Sequence, residues 1–277
     1  MSFSNFRVKK RSKHKFFIVV FLYLGKKGDL MIERINTGTS GLDQVLKGGL
    51  RKNSSILITG APGTGKTIMA LQFIYYGAKS YNENGIFIST EESLSDLRKY
   101  AKNMGMDLED MEKKGKIFLV EKPLATLKGG IASINGLLDL IKKKNIKRVA
   151  LDSLIFFEYL YPKYDSNKME FRRQVLLFMQ KMKHAGVTFM TVSERRITDL
   201  DKLEYDMMDF VFGGFIILSR IRKGSYFERT LTVAKIRGQD HSLDVYPLSI
   251  DNSGVRILYD QVPFSLVEKE EGKGEFK

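Results

Sequence analysis

The amino-acid sequence predicts an α/β fold: a mainly parallel central sheet flanked by helices, with antiparallel strands near the C-terminus. Three observations predict it. Between Ile56 and Val192, short apolar runs alternate with stretches of helical periodicity. One of those runs, Ile56-Leu57-Ile58, leads into Gly60-Ala61-Pro62-Gly63-Thr64-Gly65-Lys66-Thr67, and an apolar helical stretch, Thr67 to Ala78, follows it. From Phe210 onward the pattern turns to strands, over Phe212 to Leu218, Ser225 to Arg237, Tyr246 to Asp251 and Val255 to Tyr259.

The glycine-rich stretch reads G-x-x-x-x-G-K-T, a phosphate-binding P-loop. Its physics is specific. Glycines let the backbone curl so that N–H groups point at phosphate oxygens. The helix N-terminus behind them adds partial positive charge. Lys66 would reach the β- and γ-phosphates, and the Thr67 hydroxyl would ligate Mg²⁺. The competing explanation is a glycine turn before a helix. The strand before and the helix after are the context that favours the P-loop.

The chain has 277 residues, 43% hydrophobic and 28% charged, room for one large α/β domain or two small ones. It has no cysteine, which excludes disulfides and thiolate metal sites and fits a cytoplasmic location. The formal charge is +14. Eight of the basic residues lie in residues 1–30 against the single acid Asp29, so this extension alone carries +7. The other +7 is spread over the remaining 247 residues. The body is mildly basic, a weak argument for nucleic acid.

Residues 1–30 form a basic and then apolar extension. The apolar run Phe16 to Leu24 is too short to span a bilayer, and no small-residue cleavage site follows it. A membrane partner is therefore not favoured. Met31 is a second candidate start, with the domain expected over residues 31–262 and a charged flexible tail over 263–277.

Next, Thr37 to Leu50 holds four glycines around a short helix expected over Ser40 to Leu46. After the P-loop helix, strand Gly85 to Thr90 ends in Glu91-Glu92. Carboxylates at the C-terminal end of a strand lie where such sheets bind ligands. There they can polarise water, or they can serve the first turn of the helix expected over Ser93 to Met104. A short helix over 107–114, a strand over Ile117 to Val120 and a helix over Ile131 to Lys144 follow. The apolar strand Lys147 to Leu151 then ends in Asp152, a Walker B-like feature that would hold Mg²⁺.

Helix Lys168 to His184 carries an apolar stripe of Phe171, Val175, Phe178, Met179 and Met182, read as core. Strand Val187 to Val192 ends in Ser193-Glu194, either a γ-phosphate sensor or a helix cap. Residues 195–205 are polar and charged, a mobile loop. Lys235 and Arg237 stand two apart on a strand and so share a face, where they could clamp a phosphate or merely protect a sheet edge.

Thr37-Gly38, Gly41-Leu42-Asp43, Gly48-Gly49-Leu50, Gly60–Thr67, Thr90-Glu91-Glu92, Asp152 and Lys235-Ile236-Arg237-Gly238 occur in one order. In combination they resemble the KaiC-like branch of the RecA/RadA ATPases, over about Ile35 to Leu258, and most nearly its single-domain archaeal members. The resemblance implies a RecA-like core and a homo-oligomeric ring, a hexamer, with ATP and Mg²⁺ between subunits. It implies Glu91 as the catalytic glutamate with Glu92 its acidic neighbour, and Lys235 and Arg237 as contacts to the adjacent subunit's γ-phosphate. There are departures. The chain has one P-loop and no internal repeat, so clock function and autokinase activity are not carried over. Asn53 stands where glycine is frequent.

Two functions follow. The first is a slow ATP hydrolase that couples nucleotide state to an unidentified regulatory protein partner. The second is a DNA-binding recombinase paralogue using Arg195, Arg196 and the loop to Tyr205. Asp199, Asp201 and Glu204 in that loop oppose a phosphate-tracking surface, so nucleic acid is not favoured.

Overall fold

The computed structural model describes residues 33–121, 134–157, 168–195, 205–223 and 225–271. The basic extension and most of the 195–205 loop lie outside these residues. A glycine-rich collar, residues 34–51, comes first: β1 (Arg34–Ile35) pairs antiparallel with β2 (Leu50–Arg51), and the one-turn helix α1 (Leu42–Val45) lies between them in the sequence. This helix is shorter than the expected Ser40 to Leu46. Gly41 at φ 81° starts it in a left-handed turn, and Lys47, Gly48 and Gly49 end it with positive φ.

The core alternates strand and helix. It runs β3 (Ser55–Gly60), α2 (Lys66–Tyr81), β4 (Asn84–Ser89), α3 (Leu94–Asn103), α4 (Leu108–Lys113), β5 (Ile117–Glu121), α5 (Ile134–Lys143), β6 (Ile146–Asp152), α6 (Lys168–His184) and β7 (Thr188–Glu194). A 3₁₀ turn, Met207–Phe210, precedes β8 (Gly214–Lys223), β9 (Tyr226–Ile236), β10 (Val245–Asp251), β11 (Gly254–Ile257) and α7 (Phe264–Glu271). Among the described residues these strands make one nine-stranded sheet in the order β11-β10-β9-β8-β3-β7-β6-β4-β5. The block from β8 to β5 is parallel, and β9, β10 and β11 add antiparallel to it.

Strand β3 shows why the sheet needs cover on both faces. Ile56 and Ile58 enter one core with α2, the collar and the β10–β11 hairpin. Leu57, between them, enters the other core with α5 and α6. The α6 stripe is core: Phe171, Val175, Phe178, Met179 and Met182 are all buried. Phe178 sits edge-to-face between Phe157 and Phe189, with ring centroids 5.0 and 5.6 Å away. Asn53 adopts φ 58°, a left-handed value that asparagine tolerates where glycine is more usual.

The C-terminal segment differs from expectation. Residues 264–271 are helical rather than irregular, and Glu228 on β9 accepts from the Phe264 and Ser265 N–H groups at the helix start. Charge and glycine content obscured a short helix whose first turn is anchored from afar. Among the described residues no helix is long and apolar enough to cross a membrane.

Candidate functional site

Strand β3 delivers Gly60 to the C-terminal edge of the sheet, and α2 begins six residues later at Lys66. Gly65 has φ 105°, and a Cβ there would lie 2.9 Å from Val255 Cγ2 on the β10–β11 hairpin. Only glycine meets both conditions. Pro62 and Gly63 at the loop tip are exposed, Ala61 is half-buried, and the Thr64 hydroxyl donates 2.8 Å to the Ala61 carbonyl. The buried Lys66 Nζ donates to the Gly60 and Ala61 carbonyls at 2.9 and 3.0 Å. Burial pushes its pKa down, against the charges of Glu194, Asp152 and Glu91.

Asp152 ends β6 level with Ser89 on β4. The residue is 8% exposed, and burial raises its pKa to about 6. A hydrogen bond from Thr67 and the Lys66 charge act in the opposite sense, while Glu91 and Glu92 add to the rise. The Asp152–Ser153 peptide is cis. Thr90 ties the strand ends together: its hydroxyl donates 3.0 Å to the Asp152 carbonyl and accepts from Ser153 N–H at 2.9 Å. The Ser153 hydroxyl donates 2.9 Å to Glu91 Oε1. Glu92 is held by its backbone, where its carbonyl accepts from the Ser89 hydroxyl at 2.6 Å. Neither glutamate caps α3, because Ser93 does so by accepting from Asp96 N–H.

Magnesium takes oxygen ligands and keeps several waters or phosphate oxygens. The Thr67 hydroxyl and the buried Asp152 carboxylate are a donor pair of that kind, so these residues fit Mg²⁺. Among the described residues no group of three or more His, Cys, Asp or Glu forms a metal cage. A nucleotide-borne Mg²⁺ does not require one.

The structure thus brings together Gly60–Thr67, Asp152, Glu91 and Glu92. It leaves Lys235 and Arg237 elsewhere. Lys235 aligns with Phe215, and Phe215 with Leu57, three residues before Gly60 on β3. Its Nζ donates 2.6 Å to the Asp209 carbonyl, and Arg237 Nη2 donates 2.7 Å to the Phe210 carbonyl. Burial and the Arg237 charge push the Lys235 pKa down. Arg195 engages Asp209 through two hydrogen bonds of 2.8 and 2.9 Å. That pairing weakens its candidacy as a DNA contact. Ser193 and Glu194 belong to β7 itself, and the β-sheet pairs Glu194 with Gly60.

Sequence reasoning missed Arg229. On β9, its Nε donates 3.1 Å to the Gly63 carbonyl of the same chain. A single arginine on a strand carries no spacing signal; only the hairpin's length brings it to the loop.

Residues 35–262 match the family described as "ATPase: KaiC". The chain belongs to the KaiC family of ATPases. It is 30% identical over 234 residues to the circadian clock oscillator protein KaiC of Picosynechococcus, covering 82% of this chain and 45% of the relative. The KaiC of Parasynechococcus marenigrum is 31% identical over 236 residues, covering 83% and 45%. The chain spans about half the length of the curated relatives it matches. In structure it resembles a KaiC-like protein of the hyperthermophilic archaeon Pyrococcus horikoshii, with a TM-score of 0.68, 31% identity, and coverage of 82% of this chain and 99% of that one. The fold is that of a KaiC-like member of the RecA superfamily, and the chain is a P-loop ATPase of the KaiC/RecA type.

Proposed function

We propose that this KaiC-family chain is one subunit of a cytoplasmic head-to-tail ring, a hexamer, that binds ATP and Mg²⁺ at each P-loop and hydrolyses ATP slowly. The nucleotide state of the ring would then regulate a protein partner. The observation that carries the reading is the position of Lys235 and Arg237. At about 3.3 Å per residue, Lys235 lies level with a point roughly 10 Å before Gly60 along β3. It turns away from its own P-loop to the Asp209 carbonyl. A head-to-tail contact repeats one interface around a closed ring and would bring that pair to the next subunit's phosphates.

In this reading the P-loop N–H groups and Lys66 bind the phosphates, and Thr67 and Asp152 hold Mg²⁺. Bound Mg²⁺ would draw charge from the phosphate oxygens. Glu91, steadied by the Ser153 hydroxyl, orients the attacking water and accepts its proton. Lys66, with the neighbour's lysine and arginine, balances the charge that develops on the phosphoryl group.

The test is ATPase turnover measured alongside native mass, with and without ATP and Mg²⁺. Turnover that tracks the assembled fraction is the expected result. Full turnover by a monomer would overturn the ring, and nucleotide binding without turnover would overturn the hydrolase.

A further inference from the structure

Strand β7 ends beside the P-loop, and the residue after it faces two ways. Arg195 N–H donates 3.1 Å to the Gly60 carbonyl, the same carbonyl that accepts from Lys66 Nζ at 2.9 Å. Its guanidinium passes over the Phe215 ring, 5.8 Å from the centroid, and ends in the two-pronged bond to Asp209. The Asp209 side chain is 2% exposed. Its carboxylate also accepts from Asp206 N–H at 2.7 Å, so it fixes the turn Met207–Phe210 internally. The carbonyls of that turn are the ones that hold Lys235 and Arg237.

Hydrogen bonds joined through the Arg195 side chain and the backbone of the 207–210 turn therefore run from the first glycine of the P-loop to both cations of the opposite edge. We propose that Arg195 and Asp209 are positioning residues that couple a subunit's own P-loop to the Lys235/Arg237 pair it delivers to its neighbour. The inference rests on the ring reading above.

The physical basis is a shared acceptor. Phosphate oxygens compete with the Gly60 carbonyl for the Lys66 ammonium. When Lys66 moves to phosphate, the Gly60 carbonyl keeps Arg195 N–H as its remaining partner of the two. A bidentate ion pair on a buried carboxylate transmits that adjustment, because its two parallel hydrogen bonds restrict how guanidinium and carboxylate can shift relative to each other. The four-residue turn then moves as a unit, carrying both cation-holding carbonyls. Occupancy of one site would thereby tune the donors at the next. No bond is made or broken covalently.

The test separates delivery from reception. Subunits carrying Glu91→Gln keep Lys66 and an ATP-filled P-loop but no turnover of their own, and act as donors; subunits carrying Arg237→Ala have intact P-loops and act as acceptors. The two are co-assembled, and ATP turnover is measured. Donors that also carry Asp209→Asn or Arg195→Met are then substituted. We expect kcat at the acceptor sites to fall at least about tenfold, since a misplacement of about 1 Å can cost a hundredfold. KM for ATP should stay within about twofold, because the acceptors' binding loops are untouched. Arg195→Lys should restore part of the rate. A purely structural defect would lower co-assembly or melting temperature and would not split kcat from KM in another subunit. If Asp209→Asn does not fold, the partly exposed Arg195→Met donor gives the same reading. Unchanged turnover with the altered donors, while unaltered donors work, overturns the coupling and leaves the ring standing. No turnover with the unaltered donors overturns the ring and the coupling together.

Discussion

Complementation between two dead subunits is the sharpest consequence of a shared site. Lys66→Ala removes the ammonium that reaches into the P-loop, and a homogeneous preparation should neither bind nor hydrolyse ATP. Arg237→Ala leaves the P-loop intact and removes one delivered cation. Loss of one such donor costs on the order of 10²–10³ in rate; the low end applies because Lys235 remains. Mixed at equal amounts and assembled at random, half of the subunits keep an intact P-loop. Each of those has an even chance that its neighbour supplies an intact Arg237. About a quarter of all sites should then be complete, and turnover should recover to about a quarter of the unaltered ring. The assay is steady-state ATP hydrolysis on co-expressed, doubly tagged oligomers, against each variant alone at the same total concentration. Recovery no greater than the summed parents would refute the reasoning, because Lys235 and Arg237 would then be serving their own P-loop.

Other perturbations test single parts. Asp152→Asn should stabilise the nucleotide-free protein. The folded state holds this proton with a pKa raised from 3.8 to about 6, so the carboxylate's stability contribution is fully present below 3.8 and is lost as pH rises through about 6. At pH 8 the substitution should gain up to ~3 kcal/mol, or roughly 6–12 °C in Tm, and at pH 4 almost nothing; an equal gain at both pH values would refute the buried-carboxylate account. Glu91→Gln should bind ATP yet lose turnover, and undiminished turnover would remove Glu91 from the chemistry. Glu83→Gln should destabilise by about 2–4 kcal/mol, read by chemical denaturation, because it strips the carboxylate 2.6 Å from the guanidinium of the fully buried Arg148.

The sequence made much of this legible, for local reasons. A P-loop is a contiguous run whose glycines, lysine and threonine act through their own backbone, so its eight residues announce the phosphate cradle without any tertiary information. Asp152 and Glu91 were legible because strand ends in a parallel sheet converge on one edge. Arg229 was not, since its approach to Gly63 depends on how far β8 and β9 run past the sheet edge. Arg148 was equally silent: it sits within an apolar strand, and its burial is tolerated only because Glu83, Asn36 and Phe73 supply acceptors from other elements. The net charge misled in the other direction. Half of it belongs to the first 30 residues, and Arg195, the first basic residue of the loop proposed for DNA, is committed to Asp209.

In the proposed ring, strand β9 would divide its labour between neighbouring sites. Arg229 near its start meets its own P-loop, and Lys235 near its end meets the turn at the opposite edge. Six residues separate them, about 20 Å of extended strand. The register between β8 and β9 is not uniform along that length. Phe215 pairs with Lys235, but Ile216 pairs with Val233, so Ala234 is an extra residue opposite the β8 backbone. A bulge of this kind re-aims the side chain that follows it. Deleting Ala234 would restore a regular ladder with Lys235 still opposite Phe215, but without the local bend and added twist that set the direction of its side chain. Arg229 lies before the bulge and would keep its bond to Gly63. The variant should therefore bind ATP normally at its own P-loop and fail as a donor when paired with Arg237→Ala acceptors. If it donates as well as the Lys66→Ala subunit does, the bulge has no part in aiming the delivered lysine.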